Sequence, residues 1–548
     1  MLAYTPGKFH VRATRTMIFS YFLVQILLMK GKIILIISLC LTLLACAKRQ
    51  QPAGPPNIIF ILSDDHAKRA LSIYDTALIN TPHLDRIGRE GMRFDRAFVT
   101  NSICAPSRAV FLTGKYSHIN GLRDNRDEFD GSQPTFPKYL QQAGYQTALI
   151  GKWHLKTAPT GFDYWNILID QGHYYNPDFI ENGDTLRREG YVSDLITDYA
   201  LRYLNQRQPD KPFLLLYWHK TPHRNWMPDI QDLPEFTRTY PEPPTLFDDY
   251  TSRTSAAHAQ DLSIRNMFMS SDMKLLPEYY ENEEGSGGAG PDYDAKQDWE
   301  KIRARMTVEQ RSAWDAHYQK INEEYRRNSP QGDDLTRWKY QRYLQDYLGT
   351  VHSLDRNVGR LLKYLDEQNL AENTIVIYGS DQGFFLGEHG WYDKRFMYEE
   401  TLGTPLLMRW PGTIQPGSVN TDLVLNLDVA PTLLEMAGIP DPGDMQGRSL
   451  IPVLNGKTPG DWRTSFYYHY YEFPHGWHSV KKHEGVRTAT QKLIRFYGER
   501  EEYELYDLDQ DPQEMHNLAG TETYRNAENN LKQLLQKHRR TLKVKDEN

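Results

Sequence analysis

Two apolar runs end in oxygen-bearing side chains. Asp64 and Asp65 close NIIFILSDD, and Asp381 and Gln382 close NTIVIYGSDQG. Adjacent carboxylates at a buried strand end repel each other unless positive charge sits beside them, and oxygen ligands suit a hard divalent ion such as Ca²⁺, with Mg²⁺ second. Taken alone, Asp64-Asp65 reads equally well as a helix N-cap pair; the second strand end adds a third carboxylate and an amide oxygen and favours a cation site. Lys152 and His154, two apart in GKWH, face one pocket if they lie on a strand end, because side chains alternate there. His223 in KTPHRNW, Lys394 in YDKRFMYEE and Arg108 add donors. Several positive groups around one cation suit an oxyanion better than a neutral sugar. Cys104, in SICAPSRAVFLTGK, is one of three cysteines, with Cys40 and Cys46. A lone exposed thiol outside the cell would oxidise or cross-link.

These residues need rigid strand ends to meet. NIIFILSDD, QTALIGKWH, PFLLLYWHKTPH and NTIVIYGSDQG each run from branched aliphatics into a polar cluster. That pattern is expected of central parallel strands in an open α/β sheet whose site lies beyond their C-terminal ends. Tyr343, Tyr347, Val351, Leu354, Val358, Leu361 and Leu365, spaced three and four apart, predict a core-facing helix over about 335–370. Residues of about 238–331 are polar, include EEGSGGAGPD and carry a charged helical stretch from Gln297 to Arg327. They read as a surface insertion, either walling the pocket or forming a solvated lid. From about Leu450 the runs TSFYYHYYE, EGVRTATQKLIRFYG and EYELYDLDQDPQEMHNLAG predict short antiparallel strands, and NAENNLKQLLQKHRR a closing helix.

At 548 residues and 39% hydrophobic content the chain can bury a large core, and a net charge of −7 with interspersed signs argues against a nucleic-acid partner. The leader MKGKIILIISLCLTLLAC, Met29 to Cys46, has two lysines and an apolar run of about 13 residues, shorter than a membrane span and suited to a signal peptide. Its Leu-Leu-Ala-Cys end resembles a bacterial lipoprotein box, with Cys46 lipidated. Upstream, MIFSYFLVQILLM reads as sequence before a true start at Met29, with a two-helix anchor as the alternative. On the first reading Cys104 is the only thiol of the mature chain. The expected organisation is a leader (1–46), a linker (47–56), a catalytic domain (57–449, insertion about 238–331) and a C-terminal subdomain (450–548). CAKRQQ, without acidic residues after Cys46, favours the periplasmic side of a Gram-negative envelope over the cell surface.

CAPSRAVFLTG, from Cys104 to Gly114, matches the signature C-x-P-S-R-x-x-x-L-T-G of the formylglycine-dependent type I sulfatases. The resemblance continues through TGKYSHINGL, GKWH, SDQGFFLGEHGWYDKRFMYEE and the tail LIRFYGEREEYELYDLDQDPQEMHNL. It implies an alkaline-phosphatase-like α/β sulfatase fold: a large mixed, mostly parallel sheet flanked by helices, plus a smaller C-terminal α+β domain with an antiparallel sheet. It implies that a maturation enzyme oxidises Cys104 to formylglycine, whose hydrate attacks sulfur with one hydroxyl and expels sulfate with the other. Asp64, Asp65, Asp381, Gln382 and the modified Cys104 are then the Ca²⁺ ligands, and Arg108 holds the nucleophile. Lys115 and His118 hydrogen-bond near it, Lys152 and Lys394 bind sulfate, and His223 is the general acid with His154 second. GKYSHINGL, HKTPHRNW and YYHYYEFPHGWHSVKKHEGVRT most resemble N-acetylglucosamine-6-sulfatases. The implied activity is exo-removal of the 6-O-sulfate of N-acetylglucosamine or glucosamine in heparan sulfate or heparin fragments. His478, His483 and Arg487 either reach the pocket rim to contact sugar or are structural in the tail sheet. Iduronate 2-O-sulfate, galactose or galactosamine sulfates, a formylglycine phosphonate or phosphodiester hydrolase, and a non-enzymatic glycan-binding lipoprotein are the alternatives.

Overall fold

Every residue of Asn57–Ser63 is buried, and its side chains alternate between two cores. Ile58, Phe60 and Leu62 pack with Leu214, Leu216 and Trp218 on one face, and Ile59 and Ile61 with Leu215 and Tyr217 on the other. A strand covered on both faces has no polar alternation, which is why these segments read as continuous apolar runs. The computed structural model describes residues 1–3, 25, 29–30 and 54–545, except 281–287, 290–292 and 499. Cys40, Cys46, nearly all of the leader, most of the linker, and EEGSGGAGPD apart from Gly288 and Ala289 lie outside the described residues.

The main sheet has ten strands in the order Ser418–Asn420, Met92–Phe94, Leu406–Arg409, Thr374–Ser380, Asn57–Ser63, Phe213–Trp218, Gln146–Gly151, Tyr164–Leu168, Asp178–Glu181 and Asp184–Arg187. The four strands expected to be central stand side by side and parallel: Thr374–Ser380 on Asn57–Ser63, then Phe213–Trp218, then Gln146–Gly151. Antiparallel neighbours, such as Leu406–Arg409 and the Asp178–Glu181/Asp184–Arg187 hairpin, make the sheet mixed. Asp381, Asp64 and Lys152 thus follow three of four adjacent strands at one edge of the sheet.

The helix Gly332–Glu367 runs 36 residues, about 54 Å. Its expected stripe is buried, joining the sheet through Leu354, Val358, Leu361 and Leu365 and a second core through Tyr343, Tyr347 and Val351. The 238–331 segment is not a polar surface excursion. Leu246, Ile264, Met267, Met269 and Met273 share the second core with Tyr343 and Tyr347, while Trp299, Trp314 and Tyr318 pack into the sheet's own core. Its charged stretch is two helices, Ala295–Arg303 and Val308–Asn328, and the second starts at a capping box made by Thr307 and Gln310.

The tail forms a four-stranded antiparallel sheet, Ser465–Tyr470, His483–Thr488, Gln491–Phe496 and Glu502–Asp507, covered by the helix Arg525–Thr541 through Leu531 and Leu535. Leu450, Val453, Leu454 and Trp462 belong to a core of the main sheet, so by packing the tail begins nearer Ser465 than residue 450. Residues Ala53–Asn548 form one compact unit.

Candidate active site

The ends of two adjacent strands build the floor. Asp64, Asp65, Asp381 and Gln382 are at most 1% exposed, and the three carboxylates each offer an oxygen within 4.8 Å of the others. Asp65 turns the chain through the left-handed region at φ 67°, a conformation a residue with a Cβ holds only when its surroundings fix it. Its amide N–H donates to Asp381 Oδ1 at 3.1 Å, and the Tyr347 hydroxyl donates to its carbonyl at 2.7 Å. Each carboxylate has its own cation: Lys152 Nζ meets Asp64, Lys394 Nζ meets Asp65 at 2.5 Å, and Arg108 meets Asp381 at 3.0 Å. Asp64 Oδ1, Asp65 Oδ2 and Gln382 Oε1 nevertheless lack a hydrogen-bond partner. A buried unpaired acceptor costs about 1–3 kcal/mol. Three such oxygens on one floor are the donor chemistry a hard divalent cation requires, so the residues fit the metal.

Cys104 stands at the first turn of the helix Cys104–Thr113, directly beside that floor. Its Sγ is 3.0 Å from Lys394 Nζ and 3.8 Å from Gln382 Nε2. Burial, reinforced by Asp64 and Asp65 and only partly offset by Lys394 and Lys152, pushes the thiol up to about 12. A cysteine so held is a weak nucleophile in its native form. The rest of CAPSR locks the helix in place. The Ser107 hydroxyl donates to Asp381 O and accepts from Asn426 Nδ2 at 3.1 Å. Arg108, fully buried, donates to Lys152 O at 2.7 Å and lies 5.4 Å from the Trp218 ring centre.

Above the floor lies a cavity of about 600 Å³, lined by Cys104, His154, Lys220, His223 and Lys394, by His478 and Trp477 of the tail, and by Phe268, Tyr293 and Asp298 of the insertion. The insertion therefore walls the pocket. Burial and the neighbouring Lys152 hold both histidines below the usual imidazole range, His154 at about 4. His223 Nδ1 lies 2.7 Å from Arg224 O, which can only accept, so Nδ1 carries a proton and Nε2 carries one only in the imidazolium form. Nε2 faces Asp65 Oδ2 at 3.8 Å. His154 Nε2 sits between Asp170, at 3.3 Å, and Gln171, at 3.0 Å.

Four expected site residues lie elsewhere. The helix after Cys104 ends at Thr113 with Gly114 in the left-handed region, about 15 Å from its start. Lys115 consequently pairs with Asp444 at 3.0 Å, and His118 Nε2 bonds Leu542 O at 2.9 Å. His483 is buried in the tail sheet, stacked on Phe396, Tyr468 and Tyr470. Arg487 pairs with Glu399 at 3.0 Å. His478 does line the cavity, paired with Asp393 at 3.1 Å.

Sequence reasoning missed several lining residues. Lys220, three residues before His223, is 3% exposed, and burial with Lys152 nearby lowers it to about 7. Asp393 and Arg395 flank Lys394, and Arg395 pairs with Glu472 of the tail. Their signal was adjacency to residues already singled out, but an isolated lysine or arginine next to a motif looks like any surface charge.

The sulfatase family model matches residues 56–439, and the model of the N-sulphoglucosamine sulphohydrolase C-terminal region matches 387–541. The chain is 48% identical over 514 residues to an N-acetylglucosamine-6-O-sulfatase of Bacteroides thetaiotaomicron, covering 92% of this chain and 90% of the relative. It is 28% identical over 437 residues to human N-acetylglucosamine-6-sulfatase, covering 75% of this chain and 66% of the relative. Among solved structures, one described as a complex with its substrate D-glucosamine-2-N,6-O-disulfate superposes with a TM-score of 0.85 at 48% identity, covering 90% of this chain and 99% of that one.

Proposed function

Starting from a chain that belongs to the sulfatase family and has its alkaline-phosphatase-like fold, we propose that it removes the 6-O-sulfate from a terminal glucosamine or N-acetylglucosamine of heparan sulfate or heparin fragments. The observation that carries this is the match between floor and cavity. A buried oxygen-donor set, Cys104 and two lysine ammoniums meet at the base of a pocket of about 600 Å³, within the size range of sites for one small ligand.

In this reading Cys104 is converted to formylglycine by a maturation enzyme that reads Cys104, Pro106, Ser107 and Arg108. Asp64, Asp65, Asp381 and Gln382 hold Ca²⁺, which when bound polarises oxygens beside it and offsets their charge. Lys394 and Lys152 bind sulfate oxygens. Both ammoniums are already fixed by Asp65 and Asp64, so they need not reorganise as charge grows on the transferring group. Arg108 cannot swing, because Asp381 and Lys152 O hold it from two sides. His223 gives its Nε2 proton to the leaving alcohol, and an anionic sulfate beside the ring favours the imidazolium that carries that proton. Lys220, in the same cavity, is a second proton source.

Defined heparan and chondroitin disaccharides, each with one sulfate position, test this by mass loss. Only the glucosamine 6-O-sulfate should be lost, and Cys104→Ala should abolish the loss while the protein stays folded. Selective release from iduronate or galactosamine, or preferred turnover of a phosphodiester, would overturn it. We also assign the mature chain to the periplasm or cell surface of a Gram-negative bacterium, lipid-anchored through Cys46. Metabolic labelling with a fatty acid should mark the parent and not Cys46→Ala; equal labelling of both would refute this assignment.

A further inference from the structure

Beside the catalytic cavity lies a larger one, of about 960 Å³. Arg123, Arg126, Lys482, Lys543 and Lys545 line it, with Asp124 as the carboxylate among its lining residues. The whole chain carries −7, so this positive charge is local. Asp124 pairs with Arg126 at 3.1 Å and Asp127 lies 3.7 Å from Arg123, so these two pairs are close to neutral, and Lys482, Lys543 and Lys545 line the same wall as further cations. Cations lining a concave wall focus their field into the cleft and concentrate anions there.

The two cavities share their partitions. Arg126 lines both. In the segment after Tyr470, Glu472, Trp477 and His478 face the catalytic cavity, whereas Tyr471, Phe473 and His475 face the larger one. The larger cavity also offers ring surface through the half-buried Phe473 and the exposed His475, while His469 and Tyr471 in its wall are buried with ring centres 3.8 Å apart. Ring faces for sugar and cations for sulfate or carboxylate are the two chemistries an acidic saccharide chain needs.

We propose that this cavity binds the continuation of an anionic sugar chain whose terminal residue occupies the catalytic cavity, so that sulfated or uronate-bearing oligosaccharides span both. This rests on the sulfatase reading of the catalytic cavity. Sharing Arg126 and the Tyr471–His478 segment with that site makes a glycan the occupant the geometry favours over an anionic lipid surface.

The test compares the parent with Lys482→Ala/Lys543→Ala/Lys545→Ala on a 6-O-sulfated glucosamine monosaccharide and on a heparin tetrasaccharide ending in the same sugar. At low salt the triple variant should raise KM for the tetrasaccharide about tenfold, leaving its kcat and the monosaccharide kinetics unchanged. The parent's preference for the longer chain should shrink as salt rises. An unchanged tetrasaccharide KM, or an equal loss on both substrates, overturns the proposal. Calorimetric binding of the tetrasaccharide to Cys104→Ala protein, with and without the three substitutions, tests the cavity independently of turnover. If the parent desulfates neither sugar, the catalytic reading fails, and this binding comparison still decides the cavity. Binding to phosphatidylglycerol vesicles that the triple variant loses, with tetrasaccharide binding intact, assigns the cavity to lipid and also overturns the proposal. The double variant Lys543→Ala/Lys545→Ala, at two exposed positions beyond the last helix, repeats the test should the triple variant fold poorly.

Discussion

Replacing Tyr347 by Phe removes a single oxygen that holds the Asp64-Asp65 turn. The hydroxyl donates to Asp65 O at 2.7 Å and accepts from Ala67 N at 2.9 Å, and the side chain is fully buried. Phe leaves a buried carbonyl and a buried N–H without partners. Each orphan costs about 1–3 kcal/mol, and some relaxation follows, so the variant should lose about 2–4 kcal/mol of stability. The same two bonds fix the left-handed turn that sets the direction of the Asp65 carboxylate. Removing a partner that orients a metal ligand typically weakens metal binding about 10–100-fold, and on the proposed role of Asp65 as a ligand that loss is expected here for Ca²⁺. Tyr343→Phe is the control. It lies one turn earlier on the same helix, and its hydroxyl donates to Phe385 O at 2.7 Å rather than to the turn. It should lose about 1–2 kcal/mol and keep its Ca²⁺ affinity. Denaturant unfolding of the metal-free proteins gives the first quantity, and calorimetric titration with Ca²⁺ the second. Unchanged Ca²⁺ affinity in Tyr347→Phe, or equal weakening in Tyr343→Phe, would refute the reasoning.

Lys115→Ala should leave kcat/KM within about twofold of the parent, because its partner is Asp444 in a partly exposed ion pair worth at most about 1 kcal/mol; a hundredfold loss would return Lys115 to the site. Asp355 gives a pH prediction. It is 3% exposed, accepts from the amides of His83 and Leu84 at the start of the helix Pro82–Arg89, and burial raises its carboxyl to about 7. The folded state therefore holds this proton more tightly than the unfolded chain. Its contribution is complete below about pH 4 and lost as pH rises through about 7, with a ceiling of about 4 kcal/mol. Asp355→Asn keeps an acceptor oxygen but cannot ionise, so its melting temperature relative to the parent should climb between pH 5 and 8. A difference that stays flat over that range would show that Asp355 does not titrate in this window.

How far the site could be read from the sequence follows from which contacts are local. The four central strands were legible because burial on both faces removes the polar alternation, and the carboxylates were legible because they end those runs. Ser107 and Arg108 lie one helical turn from Cys104, so a motif captures them. Lys115 and His118 follow Cys104 by 11 and 14 residues, and a ten-residue helix carries them away. Lys220 was invisible for the opposite reason. It enters the site because Phe213–Trp218 pairs between Asn57–Ser63 and Gln146–Gly151, and no local pattern reports that pairing. The insertion misled because its net polarity hides aromatics such as Trp299, Trp314 and Tyr318, which the sheet's core takes up.

The hardest features to read join the two expected domains. Asp393 pairs with His478, and Arg395 with Glu472, so the tail closes one wall of the catalytic cavity from segments some 80 residues downstream. Arg395 is 4% exposed and shares its charge between Asp393 and Glu472. Ending the chain at residue 449 would strip Glu472 and His478 together. It would take one carboxylate from Arg395, uncover its guanidinium to water and remove the wall of the cavity that the tail supplies. A boundary placed by strand pattern thus cuts through the site, because the tail's sheet folds locally while its loop after Tyr470 belongs to the chemistry.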